Sequence, residues 1–268
     1  MNKNYTFSFL GCGNMGGALA VAAAKGNPDC RIAVFDPMTE KAQALSDAYE
    51  NVTVTSMADA AKNSRYLFLG VKPQMLGTLF AELAPLLPDD VVLVSMAAGT
   101  SIAAVGTLAG KSLPIIRIMP NIPVSVGRGV ILYAANDRVE EEALSFFVSA
   151  MSGAGLLDAI PEDKIDAASA ISGCGPAFAY MFIEALADGG VECGLPRDKA
   201  QKYAAAMLSG AAEQVLSTGL HPGALKDAVC SPGGTTIAGV HALEEKGFRG
   251  TAADAVCAAY EKTLKLKG

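Results

Sequence analysis

A chain of 268 residues that is 51% hydrophobic and 18% charged can bury a full core, as one large domain or two modest ones, and is too apolar for disorder. Its formal net charge of −6 comes from Lys and Arg scattered among Asp and Glu, so no basic stripe exists and nucleic acid is excluded as a partner. Six cysteines without CxxC spacing and two histidines outside any ligand pattern leave no disulfide framework and no metal site, which fits reduced thiols in the cytoplasm.

The apolar stretch Tyr5 to Leu10 is too short for a signal-peptide core and runs into a glycine-rich turn. Strands are expected at 6–10, 31–35, 66–69, 91–95 and 115–118, with helices between them at 16–25, 39–49, 73–87 and 101–108. That alternation predicts an α/β fold, a doubly wound parallel sheet of the Rossmann type. Val-Val-Leu-Val at 91–94 has the continuous apolar character of a strand buried on both faces. The uncharged run from Val91 to Gly110 carries three glycines and breaks in its middle, so strand, turn and helix explain it better than a membrane span.

Gly11-Cys12-Gly13-Asn14-Met15-Gly16 lies directly after a strand and directly before a helix. In a dinucleotide-binding turn Gly11 permits the sharp bend, Gly13 lets a pyrophosphate approach the backbone, and Gly16 lets the helix pack on the strand. The pyrophosphate then meets the bare N–H groups and positive end of that helix. Asp36 ends the next strand about 20 residues past the last glycine, where an acid bonds the adenosine ribose. The first 36 residues therefore read as the opening unit of a nicotinamide-dependent oxidoreductase. Later strand ends add Val71-Lys72-Pro73, Met96-Ala97-Ala98-Gly99 and Met119-Pro120-Asn121, which together form the rim of one cofactor site.

Past Asp158 strand signals end, and helices are expected at 164–169, 177–187, 197–217, 236–245 and 253–266. Turns are expected at Gly189-Gly190, Gly194-Leu195-Pro196, Gly219 and Pro222-Gly223. The break at Ile160-Pro161 divides the chain into a dinucleotide-binding domain, 1–160, and an all-α dimerisation and substrate-binding domain, 161–268. Helix 177–187 is apolar nearly all round, with Glu184 its only charge, so it needs cover from a partner chain. Ser172-Gly173-Cys174-Gly175-Pro176-Ala177 opens that helix. Ser231-Pro232-Gly233-Gly234-Thr235-Thr236 opens a later one, and two readings of it stand: a carboxylate site made of bare N–H groups and hydroxyls, or simple N-capping.

With these motifs in hand, the chain resembles the pyrroline-5-carboxylate reductase family over essentially its whole length. The Gly-loop, VKP, SMAAG, MPN, SGCGPA and the stretch from His221 to Glu244 carry the resemblance, and Ser-Pro-Gly-Gly-Thr-Thr is its most specific part. The resemblance implies hydride transfer from NAD(P)H to the imine carbon of 1-pyrroline-5-carboxylate, giving L-proline, in at least a homodimer. It implies that Ser231 and the amides of Gly234 and Thr235 hold the substrate carboxylate. Thr236 would hydrogen-bond the ring nitrogen as the catalytic residue, while Met96, Ala97 and Ala98 line the nicotinamide site.

One departure bears on the cofactor. Many relatives that use NADPH carry a small hydroxyl residue where this chain has Asp36, and a polar one at Met57. Asp36 argues for NADH, with NADPH left open by Lys41 and Lys62 nearby in sequence. A β-hydroxyacid dehydrogenase is disfavoured, because the turn at Gly173–Gly175 is not followed by its catalytic Lys; the first lysine after it is Lys199. A non-catalytic dinucleotide sensor would leave Ser-Pro-Gly-Gly-Thr-Thr without a purpose. Cys12, Cys174 and Cys230 beside the motifs are expected to be packing residues. His221 is expected to cap a helix, and His241 to lie on the surface or in packing. For Arg117 and Arg128 a solvated or ion-paired role competes with carboxylate binding.

Overall fold

The structure is a computed structural model that describes residues 3–265. Contacts group the chain into two units. One comprises the residues through Cys174 together with those from Ala259 on; the other is Gly175–Ala258.

The first unit is built on eight strands: β1 (Tyr5–Leu10), β2 (Ile32–Phe35), β3 (Val52–Val54), β4 (Ser64–Leu69), β5 (Val92–Ser95), β6 (Ile115–Pro120), β7 (Gly129–Ala135) and β8 (Gly155–Ala159). Their order is β3-β2-β1-β4-β5-β6-β7-β8. The chain reverses its direction of travel across the sheet between β1 and β4, and ligands of such sheets bind beyond the strand ends at that point. The helices are α1 (Asn14–Gly26), α2 (Thr39–Ala48), α3 (Met57–Asn63), α4 (Leu76–Leu83), α5 (Ile102–Ala109), α6 (Glu141–Met151) and α7 (Ile165–Ser172). Alternate side chains of each central strand enter opposite cores. Phe7, Phe9, Tyr66 and Phe68 join Leu19 and Phe147 on one face, while Leu67 and Leu69 join Leu76, Phe80 and Val105 on the other. Phe9 and Phe68 stack with ring centroids 4.3 Å apart. The run from Val91 to Gly110 is β5, a loop and α5, as expected.

The sheet departs from the expected all-parallel form at one place. β7 runs antiparallel to β6, because the chain turns back through a short helix at Ile122–Val126 and through Gly127, whose φ is +70°. β3, β7, β8, α3 and α6 add to the expected elements.

The second unit contains α8 (Gly175–Glu192), α9 (Arg197–Thr218), α10 (Pro222–Val229), α11 (Thr235–Glu245) and α12 (Phe248–Lys265), which extends past the unit's end. Two expected turns are corrected here. α8 runs straight through Gly189-Gly190; a Cβ on Gly190 would sit 3.0 Å from that of Ala200, so this glycine serves close approach of α9. The helix instead stops before Gly194, at φ +95°. Pro222-Gly223 begins α10, with Pro at its first position and the His221 Nδ1 accepting the Gly223 N–H at 3.0 Å. Residue 266, the expected end of the last helix, lies outside the described residues.

Candidate active site

At the switch point the glycine loop has the form its sequence demands. Gly11 has φ +105°, and a Cβ there would lie 2.5 Å from the Gly70 carbonyl oxygen, which follows β4. A Cβ on Gly16 would fall 2.0 Å from the Gly11 carbonyl, so α1 packs on this turn only with glycine at that position. Around Gly13 there is open space, and Gly13 caps α1 without any side-chain hydrogen bond. The first amides of α1, at Asn14, Met15 and Gly16, have no acceptor within the helix. Bare amides beneath an uncrowded glycine fit a dinucleotide pyrophosphate.

Asp36 is held in place by this loop. Its Oδ2 accepts the Cys12 N–H at 2.7 Å and its Oδ1 accepts the Met38 N–H at 2.8 Å. Cys12 therefore contributes its backbone. Its thiol is buried, and burial first, then the Asp36 charge, pushes its pKa up to about 12, so it is no nucleophile. Beside the loop, Pro37, Met57, Val71, Met75 and Leu79 line a largely apolar slot of about 210 Å³. Pro37, Met75 and Leu79 are missed by the sequence reading, because residues from three separate elements meet there with no motif between them.

Lys72 and Pro73 are exposed at the rim, and Met96 and Ala98 reach the surface of the loop after β5. The Ala97 methyl is buried in the core on the α5 side, which leaves its backbone as the part a bound ring could approach. One expectation for this rim is corrected. Asn121 is buried and its amide is committed to the fold: Nδ2 donates to the Ser172 carbonyl at 2.8 Å and Oδ1 accepts the Val130 N–H at 2.9 Å. Arg117 is ion-paired within the fold, to Asp166 at 2.8 Å and Glu162 at 3.4 Å.

In the second unit α11 starts at Thr235 behind Gly234, and no side chain caps it. Simple N-capping by Ser or Thr is therefore not what these residues do here. Gly233 has φ +67°, and the Gly234 N–H donates to the Ser231 carbonyl at 3.0 Å. This last bond is a further correction, since it occupies the Gly234 amide. What Gly234 supplies is room: a Cβ would lie 2.3 Å from the Ser231 hydroxyl oxygen. The Ser231, Thr235 and Thr236 side chains are exposed around the bare amides of Thr235 and Thr236. Among the described residues, the arrangement offers hydroxyls, N–H donors and a helix dipole to one small anion. His241 is exposed and pairs with Glu245 at 3.3 Å.

Two family profiles match the chain. Residues 162–266 match pyrroline-5-carboxylate reductase dimerisation, and residues 6–99 match NADP oxidoreductase coenzyme F420-dependent. A pyrroline-5-carboxylate reductase of Escherichia coli (strain K12) is 39% identical, over 96% of this chain and 97% of that protein. The chain belongs to the pyrroline-5-carboxylate reductase family. The Glycine max reductase is 38% identical, over 98% of this chain and 97% of that protein. A crystal structure of the Plasmodium falciparum pyrroline carboxylate reductase, with NADP bound, superposes with a TM-score of 0.88 at 30% identity, covering all of both chains. These relatives match the sheet part and the helical part of the chain together.

Proposed function

We propose that this chain is a pyrroline-5-carboxylate reductase, transferring hydride from NAD(P)H to the imine carbon of 1-pyrroline-5-carboxylate to give L-proline. The observation that carries the reading is the uncapped start of α11, where Ser231, Thr235 and Thr236 surround bare amides suited to a substrate carboxylate. When bound, the reduced nicotinamide supplies the hydride. The loop Gly11–Gly16 and Asp36 hold the dinucleotide, with Val71, Lys72, Pro73, Met96, Ala98 and the backbones of Ala97 and Asn121 along the rim. Ser231 and the Thr235 amide hold the carboxylate, and the Thr236 hydroxyl orients the ring nitrogen. An imine is electrophilic once protonated, so orientation of two rings carries most of the acceleration. A donor at the nitrogen assists that protonation.

Asp36 argues for NADH, with NADPH left open: two backbone amides hold its carboxylate, whose charge would repel a 2′-phosphate placed beside it. The segment from residue 161 is the dimerisation and substrate-binding part, and the chain acts as at least a homodimer. Tyr180 and Met181 of α8 are 55% and 68% exposed, an apolar face that a twin chain would cover. The test is an absorbance assay of NADH oxidation with pyrroline-5-carboxylate, run beside NADPH and a 2-keto acid. Turnover with the imine and none with the keto acid is expected; the reverse pattern contradicts the assignment.

A further inference from the structure

Two charged side chains are almost fully buried in the sheet unit, Arg117 on β6 at 3% exposure and Asp166 on α7 at 2%. Burying such a pair costs desolvation that its attraction barely returns, so it is a poor source of stability. What the group does is join three backbones. Arg117 stands opposite Ser95, the last residue of β5, immediately before the loop Met96–Gly99. Its guanidinium binds Asp166 at 2.8 Å and Glu162 at 3.4 Å. The same Glu162 Oε1 accepts the Ile102 N–H at 2.7 Å, the first amide of α5 at the far end of that loop. Ser101 caps only the amide of Ala104.

We infer that Glu162 is a positioning residue for the nicotinamide end of the cofactor site. The loop 96–101 is anchored at one end by strand pairing at Ser95 and at the other by the Glu162 bond to Ile102. Arg117 ties the second anchor to the strand next to the first. The inference rests on the proposed reductase reading, which makes this loop the nicotinamide contact. Glu162 touches no reacting atom; it sets where the loop backbone stands. Its carboxylate is partly solvent-facing, so its replacement does not open a cavity in the core.

Binding of NADH and of ADP-ribose, which lacks the nicotinamide ring, separates positioning from general structure. In Glu162→Ala the Kd for NADH should rise about tenfold, because a loop freed at one end must be re-ordered when the ring binds, while that for ADP-ribose stays within about twofold. Glu162→Gln keeps an acceptor for Ile102 and should recover most of the loss. With pyrroline-5-carboxylate the deuterium isotope effect on kcat should grow in Glu162→Ala. Equal weakening of both ligands, no weakening of either, or a Gln variant no better than Ala would overturn the inference. Hydrogen exchange at the Ile102 amide of the unaltered protein reads the same bond without a variant: protection is expected, and exchange at the unstructured rate overturns it. An unaltered protein that binds NADH but does not reduce the imine contradicts the reductase reading alone and leaves the binding result interpretable.

Discussion

At Thr236 the proposed chemistry turns on one hydroxyl at the start of a helix that no side chain caps. An oriented hydrogen bond that tightens in the transition state is worth about 2–4 kcal/mol, or roughly 30- to 1000-fold in rate. Thr236→Ala should lower kcat within that range and leave the dissociation constant for NADH unchanged, while Thr236→Ser retains most activity; steady-state kinetics beside a cofactor titration checks both. Ser231→Ala should act mainly through KM, as loss of ground-state capture does. Asp36→Ser removes the fixed carboxylate, and the ratio of kcat/KM for NADPH over NADH should rise. A protein that already prefers NADPH by about tenfold contradicts this reading of Asp36. Motif residues such as Gly11, Gly16 and His221 were legible in sequence because their requirement is local: a positive φ, a missing Cβ, a cap. The partners of Asn121 and Gly234 were not, since a side chain that looks available can be spent on a backbone group that only the fold brings near.

Elements with strong periodic or apolar signals were legible, and those held by tertiary contact were not. β3 is three residues long and owes its place to β2, with which it pairs at Ile32, Ala33 and Val34. The α3 helix that follows is stitched to β1 by Asp59. Its carboxylate accepts from Thr55 at 2.7 Å, Tyr5 at 2.9 Å and Asn63 at 2.7 Å. These bonds, the one from Thr55 first, hold the Asp59 pKa below its ordinary value. A carboxyl group with a lowered folded pKa contributes stability that is complete above its unfolded pKa, about 3.9, and is lost as pH falls through the folded value. Thermal melts of the unaltered protein and of Asp59→Asn should therefore differ near neutrality and converge in acid. Curves separated by the same interval from pH 7 to strong acid would show that the charge of Asp59 is irrelevant. Gly189-Gly190 failed as a turn for a tertiary reason at its second residue, where close packing of α9 through Ala200 accounts for glycine inside α8.

For the whole molecule, the proposed function assigns the dinucleotide to the loop Gly11–Gly16 in the sheet unit and the substrate carboxylate to the start of α11 in the helical unit. The expectation of a partner came from residues 177–187 of α8, which carry Glu184 as their only charge, and the family profile for dimerisation over residues 162–266 agrees with it. Met181 is the exposed probe of α8, because the neighbouring Phe182 ring packs against Phe248 at 5.5 Å within the unit. Met181→Asp should dissociate the assembly or render it insoluble, and sedimentation that finds the unaltered chain an active monomer would contradict the dimer. Hydride delivery to an imine carbon is read from the destination of a labelled hydride. With NADH deuterated at the transferring position and pyrroline-5-carboxylate as substrate, L-proline should carry one deuterium on the ring carbon that was the imine carbon. Unlabelled product, or deuterium appearing only in a hydroxy acid when a 2-keto acid is supplied, would contradict it.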